Sequence, residues 1–412
     1  MSTIHRCGGL GIVLLMLPFG RVTEPACAEK PVPRFGPPQF VAEVPPSALL
    51  SHVVDLDGDA DQDLLLLSLE GGNVIRISWL QQIAKDQFEE VRLFETDGAG
   101  AARSLAADID ADGDVDVLID VGGRWAWLDN DGGHPPRFES RELGIFDGGR
   151  ILMAVDLDAD GDQDILAFAS DIADVADILM WENEGSGVFM ERRVFETWDI
   201  IGLGPAAFET GDFEGDGDID LFTKGEFGTT HLVLVWDLND GQSPPRFERE
   251  RLFFDEEDTR GRVHVSDLDG DGDLDAVLSH PIKWYENDPS TPGGFVVHPI
   301  TPPAPESVIA AVGDFNSDGL PDLVLLSSSN RGVVAFCNQG GDPPTFTAIP
   351  LFEVEEGIVW GIAAVVDMNG DDQLDLLGRT CDPMGPTACR FLWYPNLGPG
   401  WAAARRPWRL YE

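Results

Sequence analysis

A nine-residue acidic segment recurs seven times in this chain, and its side chains are of the kind that hold hard cations. The copies are Asp55 to Asp63 (DLDGDADQD), Asp108 to Asp116 (DIDADGDVD), Asp156 to Asp164 (DLDADGDQD), Asp212 to Asp220 (DFEGDGDID), Asp267 to Asp275 (DLDGDGDLD), Asp314 to Asp322 (DFNSDGLPD) and Asp367 to Asp375 (DMNGDDQLD). In each, acids or amides fall at positions one, three, five and nine, and alternate side chains of a tight loop converge on one point. Position seven adds a backbone carbonyl. Calcium takes about six to eight oxygen ligands, and such a loop supplies most of them.

The candidate ligands are therefore Asp55, Asp57, Asp59, Asp61 and Asp63 in the first loop and Asp108, Asp110, Asp112, Asp114 and Asp116 in the second. The third offers Asp156, Asp158, Asp160, Asp162 and Asp164, the fourth Asp212, Glu214, Asp216, Asp218 and Asp220, and the fifth Asp267, Asp269, Asp271, Asp273 and Asp275. The sixth offers Asp314, Asn316, Asp318, the carbonyl of Leu320, and Asp322; the seventh offers Asp367, Asn369, Asp371, the carbonyl of Gln373, and Asp375. The expectation is up to seven structural Ca²⁺, since carboxylates so crowded would otherwise repel one another or take up protons. Asn316 and Asn369 replace acids, so the sixth and seventh sites are expected to be weaker. Position six is Gly in five copies, which predicts a turn with positive φ there; Ala60 and Asp372 fill the same place in the first and seventh. An EF-hand needs an acid at position twelve, where this chain has Leu66, Ile119, Ala167, Thr223, Leu278, Leu325 and Gly378.

What must position these loops is a β-framework. Short apolar stretches precede each loop (Met153-Ala154-Val155) and continuous apolar runs follow it (Leu64 to Leu67, Leu323 to Leu326), bounded by Gly and Asp as strands are. A Trp comes next in six repeats (Trp79, Trp127, Trp181, Trp236, Trp284, Trp393), with Phe336 in the other, then a turn and an outer strand such as Pro135 to Leu143. About four strands per unit, repeated roughly every fifty residues, predict an all-β, seven-bladed β-propeller of four-stranded blades with calcium-binding interstrand loops. Outer-strand-like segments number eight, because Pro37 to Val44 precedes the first loop and Trp401 to Tyr411 follows the last; either end can complete the seventh blade.

The pattern D-x-D-G-D-G-x-x-D, an apolar run, then W-x-E-N-x-G as in Trp181-Glu182-Asn183-Glu184-Gly185 and Trp284-Tyr285-Glu286-Asn287-Asp288, resembles the FG-GAP/VCBS repeat. It is similar to the propeller at the head of integrin α chains. The resemblance covers essentially the chain from residue 29 onward, and implies seven four-stranded blades with Ca²⁺ in interstrand loops.

The net charge of −47 repels nucleic acid and anionic membranes as partners. Much of it lies in the loops as candidate metal ligand. Arg6, the short apolar stretch Gly8 to Gly20 and Ala26-Cys27-Ala28 read as a cleaved signal peptide over residues 1–28, leaving residues 29–412 as the propeller, secreted or extracytoplasmic, and no later segment is apolar enough to span a membrane. Cys381 and Cys389 bracket a loop that can close as a disulfide, leaving Cys337 a buried thiol.

The seven histidines share no repeat position, and no nucleophile, phosphate-loop or zinc motif occurs, so no catalytic or cofactor-binding residue is assigned and the chain is read as a non-enzyme. The repeated Trp positions read as packing between blades, whereas Trp125, Trp198 and Trp360 lie outside the repeat and are candidates for stacking on a sugar. The leading function is an adhesion or protein-interaction module stiffened by calcium, binding a protein or polysaccharide ligand at or outside the cell surface. A calcium-dependent lectin is the alternative, and a polysaccharide-degrading enzyme comes third.

Overall fold

Each acidic loop joins two strands of an antiparallel sheet, and seven such sheets follow one another along the chain. The computed structural model describes residues 30–399, apart from 85–86, 99–101, 146–148, 171–175, 186–187, 198–207, 228–230, 256–259, 292–293, 305, 328–331, 354–358 and 382–387, together with Trp408 and Arg409. The signal-like segment 1–28 lies outside the described residues.

Blade one consists of β2 (Leu49–Val54), β3 (Asp63–Glu70), β4 (Val74–Ala84) and β5 (Gln87–Asp97) in that spatial order. Its loop connects β2 to β3, and the run DLLLLS that opens β3 is buried on both faces, as a continuous apolar strand should be. Blades two to six repeat this plan, the sixth ending on β25 (Phe346–Glu353). Blade seven takes only three strands from its own end of the chain: β26 (Val359–Val366), β27 (Asp375–Cys381) and β28 (Cys389–Tyr394).

The N-terminal segment supplies the fourth. Strand β1 (Gln39–Val44) pairs antiparallel with β28, Gln39 opposite Trp393 and Val44 opposite Cys389, and β26 then meets β2 to complete the circuit. Of the two ends that could close the ring, the N-terminal one does so. The C-terminal segment instead adds β29 (Trp408–Arg409) in parallel to β25 of blade six. Cys381 and Cys389 oppose each other across β27 and β28 and are disulfide-bonded, and Cys337 is a buried free thiol.

No single core lies at the centre. Among the described residues the buried apolar side chains form seven clusters, each drawn from two successive blades. Leu65, Ile77 and Trp79 of blade one meet Val117, Ile119 and Leu128 of blade two. Phe391 and Trp393 of blade seven meet Leu64 and Leu66 of blade one, with Val41 and Val44 of β1 in the same cluster. Each blade is thus stabilised by its neighbours, the expected arrangement for units that cannot bury a face alone.

Deleting residues 30–44 would expose the edge of β28 and the pocket left by Val41 and Val44. The expected fall in melting temperature is about 10 °C, from the lost burial and the broken circuit. Calorimetry checks it, and a truncated chain melting with the full chain would show that the ring does not depend on this strand.

Candidate metal centres

The loops share one backbone solution. The carboxylate at position one folds back on its own loop, and its Oδ2 accepts the N–H of position six in all seven copies, at 2.8 Å from Ala60, 3.0 Å from Gly113 and 2.7 Å from Asp372. The carboxylate at position five accepts the N–H of position seven, as Asp61 to Asp59 (2.9 Å) and Leu320 to Asp318 (3.1 Å) illustrate. Closing so tight a turn forces positive φ at position six, as the sequence predicts, and also at position four, which it does not. Among the described residues every non-glycine with positive φ occupies one of these two places: Ala60, Ala111, Ala159, Ser317 and Asp372. An alanine there pays a steric cost of about 1–2 kcal/mol that glycine avoids.

Position nine is the most buried acid in each loop. Asp63, Asp116, Asp164, Asp220, Asp322 and Asp375 have no exposed surface and Asp275 almost none. Oδ1 of each accepts the N–H of a residue at the end of the third strand or within two residues of it, from Gln82 (2.7 Å) through Asn183 (2.9 Å) to Asn396 (2.6 Å). In six loops Oδ2 accepts the N–H of position two, Leu56 to Asp63 at 3.1 Å for example. In blade seven the Trp393 indole also donates to Asp375, at 2.8 Å.

The third-strand asparagines carry the network into the next interface. Nδ2 of Asn130, Asn183, Asn239, Asn287, Asn338 and Asn396 donates to the position-two carbonyl of the preceding blade's loop: Leu56, Ile109, Leu157, Phe213, Leu268 and Phe315. Gln82 stands at this place where blade one meets blade seven, and its Oε1 is buried without a partner. A cavity of about 450 Å³ opens there, lined by Gln82, Asp61, Asn369 and Asp371 among others.

The carboxylates gather with more oxygens than donors, although Asp57 Oδ2 accepts from Gln81 and Asp158 Oδ2 from Ser243. Asp55, Asp57 and Asp63 bring one oxygen each within 4.8 Å of one another, as do Asp108, Asp110 and Asp116, and Asp156, Asp158 and Asp164; in the fifth loop Asp267, Asp269 and Asp271 do so. Oδ1 of Asp57, Asp110 and Asp158, all at position three, is buried with no hydrogen-bond partner. Burial foremost, then repulsion from the acid at position five, raises the pKa of Asp57, Asp110 and Asp269. Oxygen-only donors, negative charge and orphaned buried carboxylate oxygens fit a divalent cation of the calcium type.

Loops four, six and seven form no such acidic triad among the described residues. The longer Glu214 of the fourth is exposed, and Asn316 and Asn369 put amides at position three of the other two. A further group joins Asp269 and Glu286 of blade five to Asp342 of blade six. The sequence offered no periodic signal for it, because Glu286 and Asp342 lie outside the loops.

Trp79, Trp127, Trp181, Trp236, Trp284 and Trp393 are all buried, in keeping with packing. Trp125, expected as a sugar platform, is also buried, its ring edge-on to Trp181 at 4.6 Å, because it fills the interface between blades two and three. Trp198 and the side chain of Trp360 lie outside the described residues.

The family model described as an FG-GAP-like repeat matches residues 55–119, 156–223, 267–325 and 314–378, more than half of the chain, and all seven loops fall inside the matches. No curated protein matches the chain. Among solved structures, BBS1N in complex with ARL6DN, soaked with lead, is 12% identical, covers 89% of this chain and 97% of its own, and has a TM-score of 0.46. Puromycin hydrolase is 12% identical with a TM-score of 0.50 over 90% of this chain and 55% of its own, so the chain spans about half the length of that protein. The hydrolase likeness is one of fold.

Two outcomes are expected. Ala111→Gly and Ala159→Gly should each raise stability by about 0.5–1 kcal/mol in denaturant titrations, relief of the left-handed alanine outweighing glycine's entropy. Burial raises Asp116, Asp164 and Asp275 to about 7 in the folded chain, from an ordinary 3.8. The folded state therefore binds more protons between those values, and in chelator stability should rise as pH falls from about 7 toward 4. A melting temperature that falls over that window would contradict this.

Proposed function

The chain belongs to the FG-GAP-like repeat family, and from that premise we propose that it is an exported propeller, stiffened by calcium, that binds a protein ligand and carries out no catalysis. The observation that carries the calcium reading is the set of orphaned position-three oxygens of Asp57, Asp110 and Asp158, each buried beside two further carboxylates. In the first three loops the side chains at positions one, three, five and nine, with the position-seven carbonyl, would hold the ion. Bound there, calcium would supply the positive charge that offsets the gathered carboxylates. The loops then need neither protonation nor outward rotation of their acids to relieve the repulsion.

The binding role rests on the contrast between the two ends of the blades. At one end the acidic loops keep one length and one hydrogen-bond plan. At the other end the links between blades run from 146–148, between the second and third, to 198–207, between the third and fourth. A rigid scaffold with connections that vary at one end is the usual form of a recognition surface. The buried carboxylates serve as hydrogen-bond acceptors within the framework, which is a structural use and not acid–base chemistry. Export rests on the N-terminal sequence pattern.

Calcium at a hundredfold excess over its dissociation constant contributes about 2.7 kcal/mol per site. Chelation should therefore lower the melting temperature by about 10 °C or more, and Asp57→Asn should weaken one site about tenfold without changing the fold. An unchanged melt in chelator would remove the calcium reading. Parallel capture on glycan arrays and protein pull-downs, with calcium present, tests the ligand: related glycans as the reproducible hits would replace the protein ligand with a polysaccharide.

A further inference from the structure

The segment ahead of β1 lies over the loops of blades six and seven. Arg34 donates to the carbonyls of Leu397 (3.2 Å) and Gly398 (3.3 Å), Gly36 N–H to Pro395 O (2.8 Å), and the Phe35 ring packs 6.5 Å from that of Phe315 at position two of loop six. At its start, Lys30 sets its ammonium 3.1 Å from Oδ2 of Asp318, and 3.3 Å from the carbonyl oxygen of Asn338.

Asp318 is position five of loop six. Its Oδ1 is already engaged by Leu320 N–H (3.1 Å), and its Oδ2, the oxygen that a bound ion would need, is buried without a hydrogen bond and has the Lys30 ammonium as its ion-pair neighbour. The Asp318 side chain is only 8% exposed, while Lys30 keeps a third of its side-chain surface in water. The rest of the loop suits a divalent ion poorly. Asn316 is fully buried; its Oδ1 is used by Asp318 N–H (2.9 Å), and its amide Nδ2 is directed at the Cys337 thiol. The amide gives the loop a neutral oxygen at position three where Asp57, Asp110 and Asp158 give a charged one. Loop six also keeps only Asp314, Asp318 and Asp322 as carboxylates, and its position seven is Leu320.

We propose that loop six takes no calcium and that the Lys30 ammonium is its resident cation, which fastens the N-terminal segment to blade six. The proposal rests on the calcium reading of the other loops for its contrast, but the Lys30–Asp318 pairing stands without it. An intramolecular ammonium costs no binding from solution, and a free ion would have to break the pair to enter a loop that offers it one carboxylate fewer at position three.

The test uses the full chain with Lys30→Met, Asp318→Asn and the double variant. In chelator each single variant should melt about 2 °C or more below wild type, and the double variant well above the sum of the two losses, since both charges then go together. In calcium, equilibrium dialysis with metal analysis should find no ion lost from Asp318→Asn relative to wild type, and one ion gained or one site tightened at least tenfold in Lys30→Met. Additive losses in chelator overturn the pairing. An ion lost from Asp318→Asn shows that calcium occupies the loop beside Lys30, and overturns the proposal as well. If no variant binds calcium, the calcium reading of the other loops fails, and the melts in chelator still decide the pairing.

Discussion

Everything in this ring hangs on a carboxylate buried at the end of each acidic loop. A charge with no exposed surface is tolerable only if donors surround it, and the fold supplies them from two directions: the N–H of position two and the N–H closing the third strand. Fixing position two places its apolar side chain, Leu157 for instance, in the cluster shared with the next blade. The carbonyl of that residue is then turned to receive Asn239 from that blade. One acid therefore couples loop, blade and interface, and the loop's geometry is set by the framework whether or not an ion is bound.

Much of this was legible in the sequence. The seven loops, the strands around them, the buried tryptophans and the disulfide follow from period, apolar runs and spacing. The loop's own chemistry was read less fully. Positive φ at position four went unseen because Ala111, Ala159 and Ser317 stand there, residues that carry no turn signal, whereas the glycines of position six do. The asparagine stitch was missed because Asn130 and its counterparts read as turn residues after the Trp, and only the three-dimensional ring shows that their amides reach a loop some seventy to eighty residues earlier in the chain. Trp125 was misjudged because lying outside the repeat position says nothing about burial.

The seven loops are alike in backbone and unlike in charge. The first three concentrate carboxylates at positions one, three and nine. The fourth turns its glutamate to solvent, and the sixth meets a lysine from the chain's own beginning. The repeats thus share the hydrogen-bond plan that holds the ring together while the charge gathered at their outer positions differs. That is the expected result when the framework constrains position nine at every blade and leaves the outer positions freer.

Closure by β1 also fixes an order of events during synthesis. Arg34 and its partner Gly398 are 364 residues apart, so the strand made first finds its place only after the last blade exists. Until then a strand with buried-type residues at Val41 and Val44 must travel unpaired beside a growing array of blades that already pair among themselves. Contacts of such long range form slowly, and an unpaired strand of this kind invites association with another copy. The charged residues that flank it, Lys30 and Arg34 on one side and Glu43 within it, are features that keep a waiting strand soluble. Residues 30–44 are a latch held open for the whole time of the chain's making.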